Sequence, residues 1–209
     1  LVNSGFRIIK VKIGKSVEED IVRLRLLRER FGEELILRVD ANQGYDLKDT
    51  EKFLEATSDL KIELVEQPLP AGKEKDLLSL SHSSRKKIAV DEGLKNESDA
   101  FRLLVPEPCC GTFNIKLMKC GGINIARKIA LLAEVQDISL MWGCMDESAV
   151  SISAALHAAL TSPATRFLDL DGSFDLEKDV VKGGFVLEEG YLLPEKKPGL
   201  AVELIEEIF

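Results

Sequence analysis

Five short apolar segments each run into a charged residue, and those charged residues recur with a nearly fixed period. Lys12, Asp40, Glu66, Asp91 and Lys116 follow one another at intervals of 28, 26, 25 and 25 positions. A strand with its return helix and two turns occupies roughly that length, so the five belong at equivalent places on successive strands. The pattern predicts strands over 7–13, 35–39, 62–65, 88–90, 112–117, 139–142 and 166–168. Between them, apolar residues at helical spacing predict helices over 16–31, 47–58, 73–82, 97–104, 123–135 and 147–160. Ser16 with Glu19 three positions on has the pattern of a capping box at the start of the first helix.

Strands this short and this apolar suit a parallel sheet covered on both faces, joined by right-handed crossovers. The fold class is therefore α/β, as a doubly wound sheet or a closed barrel. A doubly wound sheet would carry a glycine-rich phosphate loop after its first strand and focus its chemistry at one switch point. Here Gly14 stands alone after the first strand, and charged residues close strand after strand. That spread fits the C-terminal rim of a barrel.

Three carboxylates on consecutive strands, Asp40, Glu66 and Asp91, form an all-oxygen donor set suited to a hard divalent cation, Mg²⁺ rather than zinc. The competing reading of each acid alone is a helix cap or a solvated loop residue; three in register weigh against it. Lys10 and Lys12 lie two apart and share one strand face. Inside a barrel their charge needs anionic compensation, which the carboxylates supply. A neighbouring lysine and a metal also lower a lysine's pKa, which makes a neutral amine available as a base. Lys116 fits the period better than Lys119, which is left to the following turn.

Composition narrows the function classes. A net charge of −8 over 209 residues argues against a nucleic-acid surface, and no apolar run is long enough to span a membrane. Cys109, Cys110, Cys120 and Cys144 show no metal-binding spacing, and with two histidines a zinc site is not expected. Reduced thiols point to a cytoplasmic or organellar compartment. The chain opens Leu1-Val2-Asn3 with no Met and no signal pattern, so a longer parent protein is expected. His157, mid-helix among alanines, reads as a packed residue, and Trp142 as core or substrate-facing.

K-V-K at 10–12, V-D-A-N-Q-G at 39–44, V-E-Q-P at 65–68, V-D-E-G at 90–93 and N-I-K-L-M-K-C-G-G at 114–122 together resemble the enolase superfamily, and within it the muconate-lactonizing-enzyme subgroup. The resemblance covers nearly the whole chain. It implies a TIM-like (β/α)₇β barrel, here lacking its first strand and the N-terminal capping domain. Residues 1–179 would be the partial barrel, and 180–209 a segment returning toward the cap. It also implies Mg²⁺ on Asp40, Glu66 and Asp91, with Lys12 and Lys116 as opposed acid/bases, Lys10 tuning Lys12, and Asn42 and Glu92 supporting them.

Two further segments, Gly143-Cys144-Met145-Asp146-Glu147-Ser148 and Asp169-Leu170-Asp171, resemble those of dipeptide epimerases of the Ala-Glu type. There Asp169 and Asp171 would bind the substrate's ammonium group, with Met145 beside the substrate. A turn-forming Asp pair before Gly172 is the plainer alternative. The expected activity is α-proton removal beside a carboxylate and its return on the opposite face of a dipeptide. A cycloisomerase, an o-succinylbenzoate-synthase-like enzyme or a non-catalytic barrel are the rivals, and homo-oligomerisation is left open.

Overall fold

Strand and helix alternate through the first 169 residues, as the sequence period requires. The computed structural model describes residues 6–205; the outermost residues of the two expected segments, 1–5 and 206–209, lie outside the described range. The chain forms two compact units. The first takes the described residues up to Leu94 together with Phe101–Phe113, and the second takes Lys95–Ala100 and Asn114 onward.

In the first unit, β1 (Ile8–Lys12), β2 (Ile36–Asp40), β3 (Ile62–Glu66), β4 (Ile88–Val90) and the start of β5 (Thr112–Ile115) pair in chain order, all parallel. Their register sets Lys12 beside Asp40 and Asp40 beside Glu66. The helix α1 (Val17–Phe31) starts where Ser16 accepts the Glu19 N–H, with acidic residues in its first turn and Arg28 and Arg30 in its last. Both ends thus complement the helix dipole. Gly32, at φ 67°, closes it by donating to Arg28. Leu24 of α1 and Phe53 of α2 (Leu47–Ala56) are fully buried in one cluster with Leu37 and Val39 of β2. Burying such side chains removes about 25 cal/mol per Å² of apolar surface from water.

The expected helix over 73–82 does not form as one piece. A 3₁₀ turn covers Glu74–Ser79, and a separate short helix, α3 (His82–Lys86), follows. Ser81 is the reason: its hydroxyl accepts the Ser84 N–H at 3.1 Å and caps a new helix rather than continuing the old one. The fifth strand is also shorter than expected. It stops at Ile115, and Lys116 caps the one-turn helix α5 (Leu117–Cys120), which ends at Gly121 in the left-handed region.

A buried polar tie steadies the turns after β1 and β2. Asp20, 1% exposed, accepts from the Gly14 N–H at 2.8 Å and the Tyr45 hydroxyl at 2.9 Å. Burial and the adjacent Asp20 carboxylate push the Tyr45 phenol well above its usual range.

In the second unit, β6 (Ser139–Gly143) and β7 (Thr165–Asp169) are parallel, with Gly143 beside Asp169. The helices α4 (Glu97–Leu104), α6 (Ile123–Val135) and α7 (Ala149–Ala159) complete the series; only the start of α4 belongs to this unit. Trp142 is fully buried and donates to Thr165 Oγ1 at 3.0 Å, which makes it core. His157 is half-buried, with Nδ1 2.8 Å from the Ser153 carbonyl. The C-terminal stretch holds two antiparallel pairs: β8 (Val181–Gly183) with β11 (Val202–Leu204), and the hairpin β9 (Phe185–Glu188) with β10 (Tyr191–Pro194). Asp179 fastens this stretch to α7 by accepting from Ser148 Oγ at 2.6 Å and the Ala149 N–H at 2.7 Å. Burial raises the Asp179 pKa, but the hydrogen bonds outweigh it and hold the group below the usual range.

Two stability effects follow. Tyr45→Phe removes a buried hydrogen bond to a charged group and should cost about 1.5–3 kcal/mol in urea denaturation. Because the folded-state pKa of Asp179 is depressed, its contribution is present above the unfolded-state value and lost as pH falls through the folded one. Asp179→Asn should therefore remove part of the acid-side loss of stability, measured by denaturation at neutral and acidic pH.

Candidate active site

The first unit collects charge at the C-terminal ends of its strands. Asp40, Glu66 and Asp91 are 1%, 0% and 2% exposed. Asp40 and Glu66 are lateral partners, and Asp91 lies two residues beyond Ala89, the partner of Glu66 on β4. Strand pairing puts Asp40 and Glu66 on one side of the sheet, and Asp91 begins the turn just beyond β4. Three carboxylates shielded from water repel one another and are costly without cations.

Part of the compensation comes from β1. Lys12 Nζ lies 2.6 Å from Asp40 Oδ2 and 2.8 Å from Asn42 Oδ1. Lys10 Nζ is 3.5 Å from Glu66 Oε2 and 4.0 Å from Asp40 Oδ2. Asn42 returns its backbone N–H to Asp40 Oδ1 at 2.9 Å and its amide to Glu92 Oε1 at 3.3 Å. Lys10, Lys12, Asp40, Asn42, Glu66 and Glu92 are thus one connected set. Asp91 joins it through register, and its backbone N–H donates to Gln67 Oε1 at 2.7 Å.

Asp40, Glu66 and Asp91, with the Glu92 carboxylate alongside, make an all-oxygen donor set that fits a hard divalent cation. Among the described residues, no three His, Cys, Asp or Glu side chains converge into a ready-made cage; Lys12 and Lys10 engage the oxygens of Asp40 and Glu66 directly.

The second unit holds the remaining candidates. Lys116 is half-buried at the end of β5. Its Cε lies 3.1 Å from where a Cβ on Gly143 would stand, and Asn114 Oδ1 lies 2.6 Å from the same point. Only glycine leaves this room. Lys119 donates to the Asn114 carbonyl at 2.9 Å. Asp169 is half-buried at the end of β7, and Asp171 is exposed beyond it. Between them sits Cys144, its Sγ 3.2 Å from the Asp169 carbonyl and 3.7 Å from Asp171 Oδ1, while accepting the Gly172 N–H. Burial, with Asp171, Asp169 and Glu147 nearby, pushes the Cys144 thiol up to about 12. Its contacts tie the turn after β6 to the turn after β7. Met145 anchors its backbone N–H on Glu147 Oε1 at 2.8 Å and leaves its side chain 46% exposed.

Three residues here escape a reading based on charge and period alone. Gln67 directly follows Glu66, and its place in a strand-end turn was the available signal. Gly143 interrupts an apolar strand end, which marks a close approach. Cys144 carried no signal, because its partners are a carbonyl and a loop N–H set by the fold.

A profile of the enolase C-terminal domain-like family matches residues 1–208. The chain is 52% identical over 198 residues to an L-Lys-D/L-Arg epimerase of Methylococcus capsulatus, covering 95% of this chain and 56% of that protein. It is 38% identical over 204 residues to an L-Ala-D/L-Glu epimerase of Clostridium acetobutylicum, covering 97% and 57%. A crystal structure of dipeptide epimerase from Methylococcus capsulatus, complexed with Mg and the dipeptide L-Arg-D-Lys, superposes with a TM-score of 0.93 at 52% identity, covering 96% of this chain and 57% of that one. The chain therefore spans a little over half the length of these relatives. Strand order, rim carboxylates and sequence identity agree: the chain belongs to the enolase C-terminal domain-like family.

Proposed function

We propose that this chain is the barrel portion of a Mg²⁺-dependent dipeptide epimerase. The observation that carries the reading is the row Lys12–Asp40–Glu66 on one face of a parallel sheet, continued by Asp91 in the turn beyond β4. Asp40, Glu66 and Asp91 would hold Mg²⁺, which when bound offsets the negative charge that builds on a substrate carboxylate as the α-proton leaves.

The chain's own residues handle the proton. Lys12 is the first acid/base: its amine lies against Asp40 and Asn42, and Lys10 lies within 4.0 Å of the same carboxylate. Lys116 is the second acid/base, and Gly143 gives it room. Asp169 and Asp171 are the anionic pair for the substrate's ammonium group, with Met145 beside the substrate and with Asn42 and Glu92 orienting Lys12. Residues 1–179 belong in this reading to the (β/α)₇β barrel, and 180–209 to a segment that returns toward a capping domain. No helix among the described residues is long and apolar enough to cross a membrane. This reading takes the enzyme as cytoplasmic, and its support is the four free cysteines.

The substrate reading leans toward cationic dipeptides. Identity is 52% and 50% to two L-Lys-D/L-Arg epimerases, against 38% and 37% to two L-Ala-D/L-Glu epimerases. The Ala-Glu type expected from the Asp169-Leu170-Asp171 segment is represented among the same relatives, at lower identity.

The test uses the full-length protein. In D₂O with Mg²⁺, NMR should show exchange and inversion at one α-carbon of L-Lys-L-Arg, with kcat/KM at least about tenfold above L-Ala-L-Glu, the order of one strong recognition contact. Chelation should abolish turnover, and Mg²⁺ should restore it. Lys12→Ala and Lys116→Ala should each lose epimerisation by about 10²–10⁴-fold, while each retains exchange from the face served by the remaining lysine. Full turnover in both variants would sink the two-base assignment.

A further inference from the structure

Asp40 and Glu66 are the last residues of their strands, so ladder pairing fixes their backbones. Asp91 differs. β4 ends at Val90, and Asp91 begins the turn beyond it. Its carbonyl accepts the Leu94 N–H at 2.9 Å within the turn, and its own N–H is held by a side chain.

That side chain is Gln67, 1% exposed. Its Oε1 accepts the N–H groups of both Asp91, at 2.7 Å, and Gly93, at 3.2 Å. Its Nε2 donates to the Leu69 carbonyl at 2.8 Å and reaches Glu74 Oε1 at 3.4 Å. Two donations and two acceptances satisfy the amide completely. Glu74, 0% exposed, accepts from the Gly72 N–H at 2.9 Å and from Arg102 Nη1 at 2.9 Å. Arg102 also donates to the Gly93 carbonyl at 3.1 Å. Gly93 is thus held at both its N–H and its carbonyl, and a Cβ there would overlap the Glu74 carboxylate. All of these groups belong to the first unit.

Glu74 is fully buried while the Arg102 side chain stays 37% exposed, and a pair open to water on one side adds little to stability alone. Its value lies in direction: it leaves Gln67 one orientation, with its oxygen toward Asp91. We propose that Gln67, oriented by Glu74 and Arg102, is a positioning residue that holds Asp91 in line with Asp40 and Glu66 and so sets the affinity for the divalent cation. The inference rests on the reading of Asp91 as a metal ligand.

The experiment measures Mg²⁺ affinity of the full-length protein by calorimetry, with Mn²⁺ binding followed by electron paramagnetic resonance as a second probe. Gln67→Met keeps length and apolar bulk but removes the acceptor. Its Kd should rise about 10–100-fold, the usual effect of losing a partner that orients a ligand, and saturating Mg²⁺ should restore kcat. Gln67→Glu sets a second carboxylate against Glu74 and should also weaken binding. Adding Glu74→Gln to it restores one amide and one acid, and should bring the Kd back toward wild type. A purely structural role would lower the metal-free unfolding temperature and leave the Kd of the folded protein unchanged, which overturns the proposal. So would a double variant that binds no better than Gln67→Glu. Asp91→Asn separates the two levels: unchanged Mg²⁺ affinity there removes the ligand reading itself, whereas weakened affinity with normal Gln67→Met removes only the positioning role. If Gln67→Met does not fold, the single and double Glu/Gln exchanges decide the question.

Discussion

Three carboxylates held away from water, with lysine ammonium groups from a neighbouring strand against two of them, place strict demands on the surrounding backbone. Each acid needs its position fixed from below, because mutual repulsion would otherwise drive the side chains toward solvent. A parallel ladder supplies that fixity for Asp40 and Glu66, whose peptides are paired on both sides. The apolar cluster under them, with Leu37, Val39 and Phe53 fully enclosed, keeps the ladder from breathing. The tie between Asp20, Tyr45 and Gly14 then holds the turns that follow Lys12 and Asp40. Packing, capping and turn chemistry thus serve one electrostatic arrangement.

The second unit solves a different problem. Its candidate side chains are fewer and more exposed, and they depend on small residues and local hydrogen bonds more than on deep burial. Gly143 clears space for Lys116. Cys144 ties the turn after β6 to the one after β7 without carrying charge. Residues of this kind shape a site through what they permit.

Much of the architecture was legible because it rests on period. Strand length, helix spacing and the recurrence of a charged residue are properties of the chain itself, and they located β1 to β7 within a residue or two. The errors fell where short-range chemistry competes with period. Ser81 sits inside a stretch with helical spacing, yet its hydroxyl caps α3 and splits the expected helix. Lys116 looked like a strand residue and instead caps a single helical turn, a choice made by the paired glycines that follow. Asp40, Glu66 and the two lysines could be grouped from spacing because register is regular there. Gln67 and Arg102 could not, since Gln67 reaches the Asp91 turn across 24 residues and Arg102 reaches Glu74 across 28, both through side chains.

The alternation along β1 has a consequence for how such a chain can change over time. Lys10 and Lys12 face the carboxylates only because Ile9 and Val11 separate them, and Lys12 stands directly beside Asp40. Replacing one apolar residue of this strand by another leaves that arrangement intact. Adding or deleting a single residue exchanges the two faces of the strand, turning both ammonium groups away and presenting isoleucine and valine to three buried acids. The apolar positions of this segment should therefore vary in composition while its length stays fixed, because a change in spacing parts both ammonium groups from the carboxylates at once.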